Sequence, residues 1–294
     1  MGPAPFSVAL PADCEMARGR RGVLVRRRDE KEALASVGFG PDGGERLDPS
    51  ELAGRRPLEG FAWGGRRYAV RRFTHGGLLR ALTGARFADP GRPFRELAHA
   101  DLLTAAGIAT PRVAAARAVR AWPFGWHLAL VTHRVERAAD LATVLATSSP
   151  RSALLSRVGE LVGRLHRLGF LHADLHPRNL LVAEGTPGPE GARVWVLDLD
   201  RCSRRQPLPE NRRLDNLCRL YRSVRRTAAQ SGRPLGRADY RRFLAGYARG
   251  AERNPALWRS DWRAIVRREA RRAPGHRLGW FLERWFGGRR SGPG

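Results

Sequence analysis

Residues 170–182 read FLHADLHPRNLLV, and the spacing of the polar residues in this segment is the clearest indication of the fold. Asp174 begins a loop and Asn179 closes it five positions later, while Asp198 follows nineteen positions after Asn179. Two short apolar runs lie between Asn179 and Asp198 and predict a pair of strands that returns the chain to the loop. We therefore expect three oxygen-bearing side chains from separate parts of the backbone to converge.

These side chains match the needs of phosphoryl transfer. The reaction demands little covalent chemistry from a protein, but it requires a carboxylate beside the attacking hydroxyl and oxygen ligands for magnesium. Asp174 supplies the carboxylate, and Asn179 and Asp198 supply the ligands. The alternative is a zinc or di-iron centre on His172, Asp174 and His176. Such a centre needs further His or Asp clusters, and the remaining histidines do not cluster.

The loop resembles that of the protein-kinase superfamily, in which H-x-D-x-x-x-x-N precedes a metal-binding D-x-[GD]. The resemblance implies that Asp174 orients or deprotonates the acceptor hydroxyl and that Asn179 and Asp198 hold Mg²⁺. It also implies that His172 packs to stabilise the loop. Asp198 is followed by Leu-Asp instead of Phe-Gly. That variation is common in the small-molecule kinase branches and argues against a protein-kinase activation segment.

Hydrophobic periodicity divides the chain into a sheet-rich first part and a helical second part. The predicted strands are 58–63, 66–73, 112–118, 127–135, 180–182 and 194–197. The predicted helices are 93–106, 139–146, 151–168, 211–228, 237–250 and 261–286. We therefore expect an α+β fold of two lobes, and the resemblance to the protein-kinase superfamily implies that this fold is protein-kinase-like. The small antiparallel-sheet, nucleotide-binding lobe would span 1–135 and the larger helical catalytic lobe 136–294.

A kinase-like first lobe also needs a cation that grips the ATP phosphates and a glutamate on the following helix that holds the cation. That cation is usually lysine, but Lys31, the chain's only lysine, precedes any suitable strand pair. Arg71 occupies the expected position, and Glu96 is its expected partner. Arginine stays charged and binds phosphate through two parallel hydrogen bonds, so the replacement is workable. The alternatives are an inactive pseudokinase and a surface arginine.

The glycine loop that would cover the phosphates is weakly marked. Gly54 followed by Gly60 departs from G-x-G-x-x-G, and Gly64-Gly65 reads as a tight hairpin turn. We assign Gly54 to nucleotide binding.

Three further segments resemble the lipopolysaccharide kinase family, which contains the 3-deoxy-manno-octulosonic acid (Kdo) kinases and the heptose kinases. Residues 70–78, VRRFTHGGL, are similar to that family's L-R-x-Y-x-x-G-G run. The family also has an F-R-E segment that is followed by G-x-x-V-P-x-P. Residues 94–97, FREL, and residues 106–113, AGIATPRV, are similar to it. Residues 215–224, DNLCRLYRSV, are similar to its N-L-x-R-L-x-R-S-L helix. An arginine in the lysine position belongs to the same family pattern.

This resemblance implies an ATP- and Mg²⁺-dependent kinase that phosphorylates a Kdo or heptose hydroxyl of the lipopolysaccharide inner core. The substrate would be a core sugar linked to a lipid A precursor. The enzyme would be cytoplasmic and peripheral on the inner membrane of a Gram-negative-type bacterium. We expect no nucleic-acid partner.

The net charge of +26 is consistent with attraction to anionic surfaces, and GC-rich codon usage, which favours arginine over lysine, explains it equally well. The tail from Trp258 to Phe286 alternates aromatic residues with arginines. An interfacial membrane anchor would have this pattern, as would a terminal helix that packs its aromatics on the helical lobe.

Other features narrow the class. No run of about 18 apolar residues predicts a membrane span, and the N-terminus lacks the pattern of a secretory signal. The three scattered cysteines indicate neither a disulfide framework nor a metal site, which suits a reducing compartment. Two rival functions are a kinase of another small molecule, such as an aminoglycoside, and an inactive kinase-fold module that binds anionic surfaces.

Overall fold

The structure, a computed structural model, describes residues 8–49, 59–74, 85–147, 152–183 and 193–271. The strands within these residues are β1 (Cys14–Arg18), β2 (Gly22–Arg27), β3 (Asp48–Pro49), β4 (Glu59–Trp63), β5 (Arg66–Arg72), β6 (Val113–Arg120), β7 (Trp126–His133), β8 (Ala138–Asp140), β9 (Phe170–His172), β10 (Leu180–Ala183), β11 (Arg193–Val196) and β12 (Cys202–Arg204). The α-helices are α1 (Lys31–Ser36), α2 (Arg92–Ala105), α3 (Leu141–Thr147), α4 (Ser152–Arg167), α5 (Glu210–Gln230), α6 (Arg237–Gly250) and α7 (258–271).

The chain divides into two compact units. The first comprises Met1–Leu141 and Arg178–Cys202, and the second comprises Ala142–Pro177 and Ser203–Gly294. Mixed helix and antiparallel sheet confirm the predicted α+β class.

The first unit is built on a seven-stranded antiparallel sheet in the order β1-β2-β6-β7-β5-β4-β3. Gly64 and Gly65 join β4 to β5 with φ angles of 54° and 74°. A two-residue hairpin turn with positive φ at both positions matches the right-handed twist of its strands and favours glycine. The predicted glycine turn is therefore confirmed.

Alternation along β5 determines which face of the sheet Arg71 occupies. Tyr68 and Val70 point to one face of the sheet, where they pack in the core with Leu24 and Leu34. Arg71 lies on the opposite face, which α2 covers. α2 buries Phe94 and other apolar side chains, and it ends before Gly107, whose φ of 70° suits the left-handed residue that follows many helices.

A smaller sheet of the first unit holds the returning strand. β10 pairs with both β8 and β11, all antiparallel. Leu180 lies opposite Val196, and the Leu197 N–H donates to the Asn179 carbonyl at 2.9 Å. The strand pair predicted between Asn179 and Asp198 is confirmed.

The second unit is mostly helical. α4 and α6 pack closely, and α5 buries one apolar face that includes Leu214, Leu217 and Leu220. β9 pairs with β12, and the Arg205 N–H extends the pairing to the Gly169 carbonyl at 2.9 Å. Helix α7 begins three residues before its predicted start, and its predicted end lies outside the described residues. No helix in the described part of the chain is both long enough and apolar enough to span a bilayer.

Candidate functional site

Arg71 binds two carboxylates in the first unit. Its guanidinium donates to Glu96 on α2 and to Asp198 after β11. It also lies 4.5 Å from the centroid of the Phe73 ring. The structure thus places Arg71 and Glu96 in contact and adds Asp198, which β11 returns to the same point. A guanidinium suits this position because its rigid fork of donors serves two acceptors at once.

The electrostatics of this pair follow from burial and nearby charge. Burial raises the pKa of Glu96 to about 7, with further upward contributions from the Asp198 and Asp200 carboxylates, while Arg71 pulls that pKa down. The same three carboxylates raise the pKa of Arg71, which remains a permanent cation despite its desolvation.

Asp198 lies in an uncommon backbone conformation. Its φ and ψ of 59° and 62° fall in the left-handed region, which aspartate tolerates better than most residues. The Leu199 N–H donates to the second oxygen of Glu96 at 3.2 Å. Glu96 therefore fixes the turn after Asp198 to α2, and this contact helps to hold the strained residue in place.

A second ion pair, which sequence reasoning missed, supports the first. Arg92, at the start of α2, donates to Asp200, whose side chain is 8% exposed. The Arg92 guanidinium lies 5.6 Å from the Phe73 centroid and 4.7 Å from the Phe87 centroid. Burial and the Asp198 charge raise the pKa of Asp200. The D-x-D spacing was the available signal for Asp200, but nothing local marked Arg92.

Asn179 lies in a 3₁₀ turn of residues Pro177–Asn179, directly before β10. Its carbonyl accepts the Leu197 N–H across the strand pair, and Leu197 directly precedes Asp198 in the chain. The amide oxygen of Asn179 and the carboxylates of Asp198 and Asp200 are hard oxygen donors of the kind Mg²⁺ prefers. The chemistry of these oxygen donors therefore fits a magnesium ion.

Asp174 lies in the second unit, in the turn after β9. One carboxylate oxygen is 3.2 Å from the Arg219 guanidinium of α5, and the other is 3.5 Å from Nε2 of His176. Asp174 and Arg219 are 41% and 49% exposed at their side chains. The exposed carboxylate and the Arg219 guanidinium can thus contact a molecule from solution.

His172 is buried, 2% exposed, and its backbone is held by a chain of side-chain hydrogen bonds. Asn216 on α5 donates its amide N–H to the His172 carbonyl at 2.7 Å. The oxygen of the same amide lies 3.0 Å from Nε2 of His166, and Nδ1 of His166 lies 3.0 Å from the Tyr247 hydroxyl. Arg213 donates to the Tyr247 oxygen at 3.3 Å.

The groups at the two ends of this series of hydrogen bonds determine which atom donates in each bond. Because the amide N–H of Asn216 donates to a carbonyl, its oxygen must accept, so Nε2 of His166 carries the proton. Because Arg213 donates to Tyr247, the Tyr247 hydroxyl is left to donate to Nδ1. His166 is therefore held neutral, and burial lowers its pKa to about 4. Sequence reasoning picked out Asn216 as part of a family pattern but gave no role to His166 or Tyr247.

Gly54 and the Gly76-Gly77 pair lie outside the described residues, as does the tail beyond residue 271. In the described ranges, no three His, Cys, Asp or Glu side chains gather as ligands of one metal ion.

The fold is shared with a solved structure of WaaP in complex with acyl carrier protein, a protein-kinase-like fold. The TM-score is 0.56 at 24% identity, and the alignment covers 86% of this chain and 98% of that one. A 3-deoxy-D-manno-octulosonic acid kinase of Xanthomonas axonopodis pv. citri is 31% identical over 241 residues, 78% of this chain and 90% of the relative. The same-named kinase of Actinobacillus succinogenes is 30% identical over 183 residues, 61% and 74% of the two chains.

The fold and these relatives define a phosphotransferase of the protein-kinase type. The lipopolysaccharide kinase (Kdo/WaaP) family matches residues 54–247, about two thirds of the sequence. The chain belongs to that family, and the predicted kinase activity and family resemblance are confirmed.

Proposed function

We propose that this kinase transfers the γ-phosphate of ATP to a hydroxyl of the Kdo residue of a lipid A-linked inner core, and that it selects Kdo over heptose. The observation that carries the choice of sugar is Arg219, an exposed cation 3.2 Å from the Asp174 carboxylate. Kdo is a sugar acid, whereas heptose has no carboxylate. A guanidinium beside the reacting carboxylate suits a carboxylate of the acceptor, because it binds such groups through two parallel hydrogen bonds.

In the proposed reaction, the sugar oxygen attacks the γ-phosphorus as its proton passes to the Asp174 carboxylate. The bond from the γ-phosphorus to the bridging oxygen breaks, and ADP leaves with that electron pair. Arg71, held by Glu96, grips the phosphates. His172 packs beneath the loop, and Asn216 fixes its backbone. A magnesium ion, held when bound by Asn179 and Asp198, supplies positive charge to the phosphate oxygens.

The relatives' names support a Kdo acceptor, since both are 3-deoxy-D-manno-octulosonic acid kinases. The proposed place of action is the cytoplasmic surface of the inner membrane, where a lipid A-linked sugar is exposed to ATP. The large positive charge of the chain favours approach to such an anionic surface.

The first test follows phosphate transfer from ATP to a Kdo-bearing lipid A precursor. We expect Asp174→Asn to lower kcat by about 10²- to 10⁴-fold, the usual contribution of a positioned base. Asp239→Asn is the matched control, because Asp239 is a carboxylate of the same unit that only caps α6. Wild-type kcat in Asp174→Asn would reject Asp174 as the base.

The second test separates Kdo from heptose. Wild type should prefer the Kdo acceptor to its C1 carboxamide by about 10- to 100-fold, the range for one hydrogen bond between charged groups. Arg219→Gln should lose most of that preference, whereas Arg226→Gln, exposed on the same helix, should keep it. Equal or better turnover of a heptose-terminated acceptor would reject the choice of sugar and leave the kinase assignment intact.

A further inference from the structure

The turn between β6 and β7 carries the two most exposed large apolar side chains of the described residues. Trp122 is 82% exposed and Phe124 is 63% exposed, while the other large apolar side chains reach at most 45%. These two residues, here called the aromatic tip, lie in residues 121–125, AWPFG. The Ala121 N–H donates to the Gly125 carbonyl at 2.9 Å, which closes the turn. Folding alone does not account for two large rings left in water.

Four arginines lie at the same end of the sheet as the aromatic tip. Arg120 ends β6 and lies 5.1 Å from the Trp126 ring centroid, and Arg86 lies 5.9 Å from the Phe124 centroid. The backbone of Arg120 donates to the Arg21 carbonyl at 2.8 Å, which brings the β1–β2 turn with Arg20 and Arg21 to the same end of the sheet. Arg20, Arg21 and Arg120 are exposed.

One carboxylate at this end of the sheet belongs to Asp42. The Asp42 carboxylate accepts the backbone N–H groups of Arg20 and Arg21 at 2.9 and 2.7 Å. These bonds keep the pKa of Asp42 below its usual value. Asp42 therefore stays negatively charged, and the four arginines at this end of the sheet outnumber it.

We propose that the aromatic tip and its arginines form the surface by which this kinase docks on an anionic lipid bilayer. Aromatic rings with a polar edge favour the interface between lipid headgroups and acyl chains, and arginines beside them attract anionic headgroups. A side chain exposed as far as Trp122 projects from its surroundings. A bilayer accepts such a projection without a complementary cavity, whereas a folded partner must provide one.

This inference rests on the proposed function, since a lipid A-linked acceptor lies in a bilayer. It assigns docking to the sheet-bearing unit, in addition to any contribution from the basic, aromatic tail of the sequence. The aromatic tip contains no residue assigned to phosphate transfer.

The test measures partition of the full chain onto sucrose-loaded vesicles of phosphatidylcholine with about one quarter phosphatidylglycerol, without ATP. Trp122→Ala/Phe124→Ala should lower the partition coefficient about tenfold or more, as expected when two large rings are lost from the interface. Trp63→Ala is the matched control, because Trp63 is an exposed tryptophan at another hairpin of the same sheet, and it should bind as wild type does. Each single variant is measured as well, alongside its thermal unfolding midpoint.

Charge is tested separately. Arg20→Gln/Arg120→Gln should weaken binding and flatten its salt dependence, while Arg226→Gln/Arg242→Gln, with the same change in net charge, should have a clearly smaller effect. Binding to pure phosphatidylcholine should be weak. Unchanged vesicle binding by the folded tip variants, or an equal loss in the Trp63 control, would overturn the proposal. It would also be overturned if the tip variants lost binding only to an acidic soluble protein.

Failure of this inference is distinguishable from failure of the proposed function. The tip variants should phosphorylate a deacylated, water-soluble Kdo acceptor at the wild-type rate. Absence of transfer to any Kdo acceptor by wild type would reject the function, whereas vesicle binding without nucleotide reports on docking alone.

Discussion

Arg71 spans two carboxylates that come from different elements, Glu96 on α2 and Asp198 after β11. A lysine at the same position has a single ammonium nitrogen and cannot present two separate nitrogen donors in a fixed plane. Arginine therefore contributes a donor geometry that lysine cannot supply, in addition to its positive charge. Arg71 connects Asp198, the residue proposed to hold metal, with α2, the helix that carries Glu96.

Arg71→Lys should lower kcat/KM for ATP by about 10- to 100-fold, equivalent to the loss of one hydrogen bond between charged groups. Arg72→Lys is the matched control, since Arg72 points to the opposite face and pairs with Glu59 and Glu45. Steady-state kinetics with varied ATP provide the measurement. Similar losses in the two variants would show that the Arg71 contacts are dispensable.

His166 should make stability depend on pH. Its pKa is about 4 in the folded protein, against 6.5 for an ordinary histidine, because it is buried as the neutral form. The unfolded chain therefore binds more protons between these values, so this contribution to stability is complete above about pH 6.5 and is lost as the pH falls towards about 4. The loss amounts to about 3 kcal/mol.

Urea unfolding across this pH window compares wild type with His166→Gln. The variant is less stable near neutral pH because it disturbs the contacts to Asn216 and Tyr247, but the gap should narrow as the pH falls. A gap that stays constant between pH 6.5 and 4 would show that His166 does not titrate as described.

The residues of the site differ in how far the sequence specifies them. Asp174, Asn179 and Asp198 form a local pattern, and Arg71 and Glu96 follow from strand and helix order, so the sequence alone predicts all five. Their catalytic roles remain predictions. Arg92 was missed because its partner Asp200 is 108 positions away and nothing near Arg92 distinguishes it among so many arginines. Arg219 was missed as a neighbour of Asp174 for the same reason.

The helices α4 and α6 approach each other through glycines. A Cβ at Gly246 would lie 1.9 Å from the Ser156 carbonyl oxygen, and one at Gly159 would lie 2.0 Å from the Phe243 carbonyl oxygen. Both contacts are with backbone, which cannot rotate away. The two helices must therefore separate to accept any side chain at these positions.

Gly246→Ala should destabilise the protein by about 1–3 kcal/mol, the usual cost of overpacking, although alanine is the better helix former. Arg242→Ala is the control on the exposed face of the same helix and should change stability by less than about 0.5 kcal/mol. Chemical denaturation is the measurement. A stabilised Gly246→Ala protein would mean that the helices are not in this close contact.

Elements with strong internal periodicity were predicted within a few residues, including α2, α4 and α6. The short strands β1, β9 and β12 were not predicted. β1 has no clear alternation in sequence, and β9 and β12 have three residues each, so their strand conformation depends on partners that are distant in the chain. Local preference is too weak to specify such segments.

The net positive charge of the whole molecule is too large to be neutralised by ion pairs within the protein. The chain has 54 basic and 28 acidic residues, so 26 cations remain even if every carboxylate pairs with one. Their mutual repulsion opposes the compact state, while individual surface ion pairs contribute only about 0–1 kcal/mol each. Repulsion should therefore outweigh the surface pairs in the salt dependence of stability.

Salt should accordingly have opposite effects on folding and on docking. The Debye length falls from about 30 Å at 0.01 M to about 8 Å at 0.15 M, so added NaCl screens repulsion among the arginines and raises the thermal unfolding midpoint. The same screening weakens attraction to anionic vesicles, so binding falls over the same range. Scanning calorimetry and vesicle co-sedimentation across one NaCl series measure both. A midpoint that falls with NaCl would mean that ion pairs such as Arg213 with Asp261 outweigh the excess charge in holding the fold together.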